Sequence, residues 1–394
     1  MTALAAVFLL AMTPVADVQF AKSSNAFAFD LYKEVRKAPG NRVVSPASLT
    51  IALTMAWGGA RGETADEMRR VLRLEGNPAE VMNAANGLMA SLSEPGPVQM
   101  RIANRLYGDK GYGFDPGYLE AIRSGFGAGL VPVDFRSAPD AARVTINRWV
   151  EEQTAERIQN LIPPRGITPL TRLALVNAVR FVGPWAKPFR PSETRPAPFR
   201  TTSADAKDVP TMHVLASFPH VADKAAGLQA IELPYLGMRF SMVIVLPDAG
   251  GGLPALEERL TSEMFDALLR ATDWTNVDLA LPRFEIDPSA SLSLAETLAA
   301  LGMPSAFDPG RADLTGIANP KDRRDGLYIS SAFHKAFVKI DEKGTEAAAG
   351  SAVLAAARSL PRQLKVDHPF LFVIRDTASG LILFMGRVVD PTTK

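Results

Sequence analysis

Arg358 and Ser359 are the residues of this chain whose types and setting point most directly to chemistry with a partner. They close a run of small, mostly apolar side chains that extends unbroken from Gly344 to Ala357. A trypsin-like protease selects an arginine presented this way, because an acid at the floor of its specificity pocket pairs with the guanidinium. The run holds no proline, so nothing in it forbids the backbone from joining a sheet.

Three structural fates compete for the run. An exposed helix has the alanines in its favour and Thr345 as an N-cap, but Gly350 and the β-branched Val353 weaken it. A flexible linker would carry more serine, glycine and polarity. A latent strand has a two-fold pattern to recommend it. Thr345, Ala347, Ala349, Ser351, Val353 and Ala355 would share one face, each small and uncharged. Glu346, the only charge, falls on the other face with Ala348, Gly350, Ala352 and Leu354. Periodicity on a short Ala-rich run does not choose among the three.

Catalytic chemistry finds little support elsewhere. The four histidines, His213, His220, His334 and His368, show no HExxH spacing, and no cysteine is present to bind zinc. There is no GxSxG elbow, Walker loop or GxGxxG fingerprint. The expectation is a protein that is not an enzyme and needs no metal or cofactor. Lys plus Arg number 43 against 42 Asp plus Glu, so charge points to neither nucleic acid nor an anionic membrane.

The elements that must position the run follow from periodicity. Ser24 to Lys37 reads as an amphipathic helix with Phe27, Leu31 and Val35 on one side. Leu49 to Trp57 is apolar on nearly every face, so it reads as a helix buried all round and ended by Gly58-Gly59. Thr64 to Leu72 is a third helix, and Ile146 to Ile162 a fourth with Trp149, Val150, Ile158 and Leu161 inward. Strands are expected at Leu173 to Val182, Phe240 to Leu246, Val277 to Ile286, Leu371 to Ile374 and Leu381 to Val389. Helices lead and strands follow, which favours an α+β fold over a βαβ alternation. With no repeat and no long polar linker, one domain is expected despite the length of 394 residues.

Leu4 to Met12 is apolar but short of the roughly 20 residues that span a bilayer. Small residues follow it, with Ala16 as a cleavage point, so residues 1–22 read as a signal peptide and the protein as extracellular or periplasmic. No Lys or Arg precedes the run and Pro14 sits near the cleavage point; the other reading is an apolar N-terminal extension packed on the body.

The chain resembles the serpins from Asn25 to Pro391. The residues that carry the resemblance are Asn41 to Pro46, Gly59 to Met68, Leu175-Val176-Asn177-Ala178, Gly183-Pro184-Trp185, Ile231 to Tyr235 and Leu281-Pro282-Arg283-Phe284. They continue through His334-Lys335-Ala336, Glu342 to Ala349 and His368 to Asp376. Each motif is weak alone; in this order and over this span they are specific. The resemblance implies a single serpin domain over residues 23–394, with three β-sheets, about eight or nine helices and a reactive loop at about 342–362. It also implies suicide-substrate inhibition: a protease cleaves the loop, forms an acyl-enzyme, and is trapped as the loop enters the central sheet.

Carried over by residue, the resemblance makes Glu342, Gly344, Thr345, Glu346, Ala347, Ala348 and Ala349 the loop hinge, in its small-residue inhibitory form. The family spacing from Glu342 places the reactive bond at Arg358-Ser359; Arg362, preceded by Pro361, is a competing basic site well past that spacing. Ser45, Ser48, Asn177 and His334 match the shutter that controls strand separation, and Trp185 the breach where insertion begins. His368 and Phe370 belong to a structural signature. The region Ala79 to Leu92 contains no Lys or Arg, so heparin is not an expected partner. The expected partner is a target serine protease bound covalently by a monomer. A non-inhibitory binding or chaperone role, or inhibition of subtilisin-like or cysteine proteases, stays open beside it.

Overall fold

The computed structural model describes residues 15–126, 129–201, 205–248, 252–319, 326–345 and 360–393. The hinge residues Glu346, Ala347, Ala348 and Ala349 and the bond Arg358-Ser359 therefore lie outside the described residues, as does the Leu4 to Met12 run.

The all-apolar segment around Leu49 becomes the helix Pro46–Gly58, with every residue from Pro46 to Trp57 buried. It lies in the middle of the largest core cluster, between the two sheets described below. Gly59 ends it against the Ile317 side chain, where an added Cβ would come within 2.2 Å of Ile317 Cγ1, so only glycine fits. The first helix runs Val15–Val35. It is longer than Ser24 to Lys37 because Phe20 and Ala21 also bury against the core, and the boundary between residues 22 and 23 falls inside it.

The helix Pro139–Gln153 stops short of Ile162. Ala155, Glu156 and Asn160 adopt positive φ, which no α-helix accommodates, and the Thr154 hydroxyl turns back to the Val150 carbonyl at 2.8 Å. Ile158 and Leu161 still bury where the amphipathic pattern places them. Among the described residues there are nine α-helices, none long and apolar enough to cross a membrane.

Two hydrogen-bonded strand networks result. One contains Leu173–Pro184 at its centre, flanked by Gln99–Asp109 on one side and by Ile329–Ala336 on the other. The second network is two sheets joined by one long strand, Ala206–Asp223. That strand pairs with Arg195–Arg200 and Asp273–Pro282 along most of its length, and at its end with Leu228–Pro234. The α+β fold is as expected, but its strands form two hydrogen-bonded networks where three sheets were expected, because Ala206–Asp223 joins both parts of the second. The main core fills the space between the central sheet and the Leu228–Pro234, Phe240–Pro247 and Phe370–Asp376 strands. The helix Pro139–Gln153 covers the opposite face of the central sheet.

Candidate functional site

The central sheet is split. Leu173–Pro184 and Ile329–Ala336 run parallel and hydrogen-bonded from Ile329↔Leu173 to Ala336↔Val179. Past Phe337 the second strand diverges as Val338–Asp341, and a two-residue strand, Gly344–Thr345, occupies the space. It pairs antiparallel with both neighbours, Gly344↔Asp341 and Gly344↔Pro184. Gly344 is obligatory here: its φ is +145°, and a Cβ would lie 2.0 Å from the Gly183 carbonyl oxygen. Thr345 is fully buried and its hydroxyl meets the Tyr235 hydroxyl at 2.6 Å.

Trp185 closes the top of this opening. Its indole Nε1 donates to the Asp341 carbonyl at 3.0 Å and its backbone N–H to the Lys343 carbonyl at 2.9 Å. The ring stacks on Tyr235 with centroids 4.5 Å apart, and Tyr235 meets Phe181 edge-on at 5.0 Å. Burial pushes the Tyr235 phenol well above its ordinary pKa, so it stays protonated as a partner for Thr345.

Glu342, just before the inserted pair, is clamped. One carboxylate oxygen accepts from Arg283 Nε at 2.7 Å, from Arg283 Nη2 and from the Thr194 hydroxyl. Burial alone would raise the Glu342 pKa, but these hydrogen bonds outweigh it and hold the carboxyl below its usual value. Its contribution to stability is therefore present above the ordinary carboxylate pKa and lost as pH falls through the lowered one. Because Arg283 is 44% exposed, solvent screens the pair. A double-mutant cycle of Glu342→Ala and Arg283→Ala, read from urea unfolding, should give a coupling energy of about 1 kcal/mol. Additive single effects would show that the clamp contributes nothing.

Below the opening, where the two strands are still paired, the shutter residues come together. His334 lies opposite Asn177 across the parallel pair, and Asn104 lies opposite Asn177 on the other side. His334 Nε2 accepts the Ser45 backbone N–H at 3.1 Å, which leaves the ring proton on Nδ1 to donate to Asn177 Oδ1 at 2.5 Å. Asn177 Nδ2 donates to Ser48 Oγ at 2.5 Å and also to Asn104 Oδ1. Asn104 in turn donates to the Ser48 carbonyl at 3.1 Å. Ser45 thus joins through its main chain, while its own buried hydroxyl has no partner. Burial drives the His334 pKa down to about 3, so the ring is neutral.

The described hinge and breach residues line this opening, and the shutter residues sit below it, where the same two strands are still paired. The His368 ring lies between two acceptors, the Asp367 carboxylate at 2.7 Å and the Pro247 carbonyl at 2.6 Å, and Phe370 is fully buried. Sequence reasoning missed Thr194, Tyr235, Arg283 and Asn104. Tyr235 and Arg283 stood inside motifs that carried the resemblance, but contacts over spacings such as Arg283 to Glu342 have no local signal.

The central sheet thus divides past Phe337 and holds the Gly344–Thr345 pair between its two arms. The chain belongs to the serpin (serine protease inhibitor) family, whose sequence model matches residues 22–391. It is 38% identical over 384 residues to the leukocyte elastase inhibitor of Bos taurus, covering 95% of this chain and all of that one. Uncleaved ovalbumin superposes with a TM-score of 0.88 at 30% identity, over 95% of this chain and 100% of ovalbumin. Serpin48, a highly specific serpin of the insect Tenebrio molitor, superposes at 0.85 and 32% identity, over 96% of this chain and 99% of its own. The family and the bovine relative are named as protease inhibitors, not as enzymes.

Proposed function

We propose that this protein is an irreversible inhibitor of trypsin-like serine proteases, cleaved at Arg358-Ser359 and trapping the enzyme by loop insertion. One observation supports the reading above others: the register of the two hinge residues already in the sheet. Gly344 pairs with Pro184 and Thr345 with Gly183. Continued one residue at a time, this antiparallel register brings Ser351 opposite Asn177 and Ala355 opposite Leu173, where the strand begins. Arg358 then lies three residues further, at the end of the sheet remote from Trp185.

The faces agree with the register. Residues 173, 175, 179 and 181 point into the main core, so the small-faced series from Thr345 to Ala355 would do so too. Asn177 is the one polar residue between Leu173 and Gly183 on that face, and Ser351 is the residue that meets it. Entry of the loop separates Asn177 from His334, and the incoming serine offers a replacement hydrogen bond.

The test is incubation with trypsin followed by denaturing electrophoresis. A covalent adduct at near one-to-one stoichiometry is expected, with Arg358→Ala losing trypsin and gaining elastase. Clean cleavage without adduct, and no rise in melting temperature of the cut protein, would instead favour a binding or chaperone role. Ala355 to Ala357 and the name of the bovine relative make elastase the informative second enzyme. An adduct with elastase but not trypsin in the wild type would move the reactive bond away from Arg358. Secretion, inferred from Leu4 to Met12 and the small residues after it, belongs to the same proposal and is tested by the N-terminal sequence of exported protein.

A further inference from the structure

Scattered exposed apolar side chains need no explanation, but three of the most exposed in this molecule surround one strand. Leu360 is 95% exposed, Trp274 59% and Leu215 52%. Trp274 is the one exposed aromatic side chain among the described residues. Leu215 pairs with Asp278, Ser217 with Asn276 and Pro219 with Trp274, and directly paired residues share a face. Leu215, Ser217 and Pro219 therefore form a strip alongside Asp278, Asn276 and Trp274, on the sheet face away from the buried Val277, Leu279 and Leu281.

The Arg362–Lys365 strand joins this sheet in parallel, from Arg362↔Val277 to Lys365↔Ala280. Its chain consequently enters from the side of Asp278 on which Trp274 lies. Trp274 is three residues, about 10 Å, along its strand from Val277. Two peptide units separate Arg358 from Leu360, so their Cα atoms are at most about 8 Å apart. A protease domain of about 230 residues has a radius of gyration of about 17 Å. An enzyme engaged at Arg358 must overhang whatever lies beside Arg362, and what lies there is this strip.

We propose that the strip of Leu215, Pro219 and Trp274 is a docking surface for the target protease. The occupant is a trypsin-like enzyme that carries an apolar flank beside the subsites for the leaving segment of the loop. This rests on the function proposed above and adds a source of selectivity separate from Arg358. The leaving segment starts at Ser359 and stays anchored through Arg362–Lys365, while the acylated enzyme departs with Arg358. The strip therefore acts on encounter and acylation, and is released before insertion. Its loss should slow association and leave untouched the partition between trapping and turnover.

The experiment measures the second-order association rate constant, the stoichiometry and the melting temperature of the full-length protein with trypsin, plasmin and thrombin. The variants are Trp274→Ala, Trp274→Glu, Leu215→Ala and the Trp274→Ala/Leu215→Ala pair. Leu170→Ala is the control, because Leu170 is 70% exposed next to the strand start at Leu173, remote from Trp185. The pair should lower association about tenfold with at least one of the three enzymes, as expected when an aromatic anchor is lost. Stoichiometry, melting temperature and the Leu170→Ala rate should stay at wild-type values. Association within about twofold of wild type for every variant and enzyme overturns the docking surface while the inhibitory function stands. A parallel rise in stoichiometry or fall in melting temperature assigns the strip a structural role and overturns it too. No covalent adduct from the wild type sinks the functional proposal, and the docking surface with it.

Discussion

Replacing Thr345 by arginine is expected to turn the inhibitor into an ordinary substrate. Thr345 is completely buried and its hydroxyl meets that of Tyr235, whose ring packs against Phe181 and Trp185. Arginine would be expelled from this site in the uncut protein, and insertion would then have to carry its unpaired charge into an apolar sheet face, at several kcal/mol for the ion. If insertion bears about 3 kcal/mol of that penalty, it slows by about a hundredfold, and deacylation wins the race. Association should be unaffected, since the side chain is remote from the reactive bond in sequence. The readout is the number of inhibitor molecules consumed per trypsin inactivated, which should rise more than about tenfold. Glu346→Arg is the matched control, because the next residue in a strand faces the other way. A Thr345→Arg protein that still inhibits at one-to-one stoichiometry would disprove insertion through this opening.

The second large effect is on pH. His334 is neutral in the closed sheet with its pKa pushed down to about 3, whereas any opened state releases it to about 6.5. The folded value is the depressed one for a base, so the open state gains the proton first as pH falls. The shutter's contribution is complete above about pH 6.5 and drains away toward pH 3, by about 2 kcal/mol at pH 5. Protonation also sets a donor against the Ser45 N–H, which His334 Nε2 now accepts. The rate of spontaneous loss of inhibitory activity should climb between pH 6.5 and 5. His334→Gln offers an amide oxygen to Ser45 and an N–H to Asn177 without titrating, so its profile should be flatter across that range. Superimposable profiles would remove His334 as the source.

Much of this site was legible in the sequence, though unevenly. The small-faced alternation from Thr345 was visible as a pattern, and the buried Thr345 in the sheet is its first residue. The all-apolar Leu49 to Trp57 segment announced a helix enclosed by other elements, and it proved to be the one between the two sheets. Periodicity overran at Ile158 and Leu161, where apolar spacing persists although residues with positive φ have ended the helix. Asn104 was invisible for another reason. Its part in the shutter depends on the register Asn104↔Asn177, a long-range property of the sheet with no local mark. Arg283 stood in a motif of the resemblance, yet nothing local couples it to Glu342 until the fold brings the two together.

The two-residue strand Gly344–Thr345 bears on kinetics as well as geometry. Adding a strand to a sheet is slow mainly in its first step, when chain ends must be brought together before any pairing rewards them. Here that step is complete in the uncut protein, because both hinge residues already pair with Pro184 and Gly183. Cleavage would therefore release a propagation, not a search. Each further residue would add its pairing to an existing nucleus, so the trapping rate should depend on side-chain fit along the loop far more than on loop length.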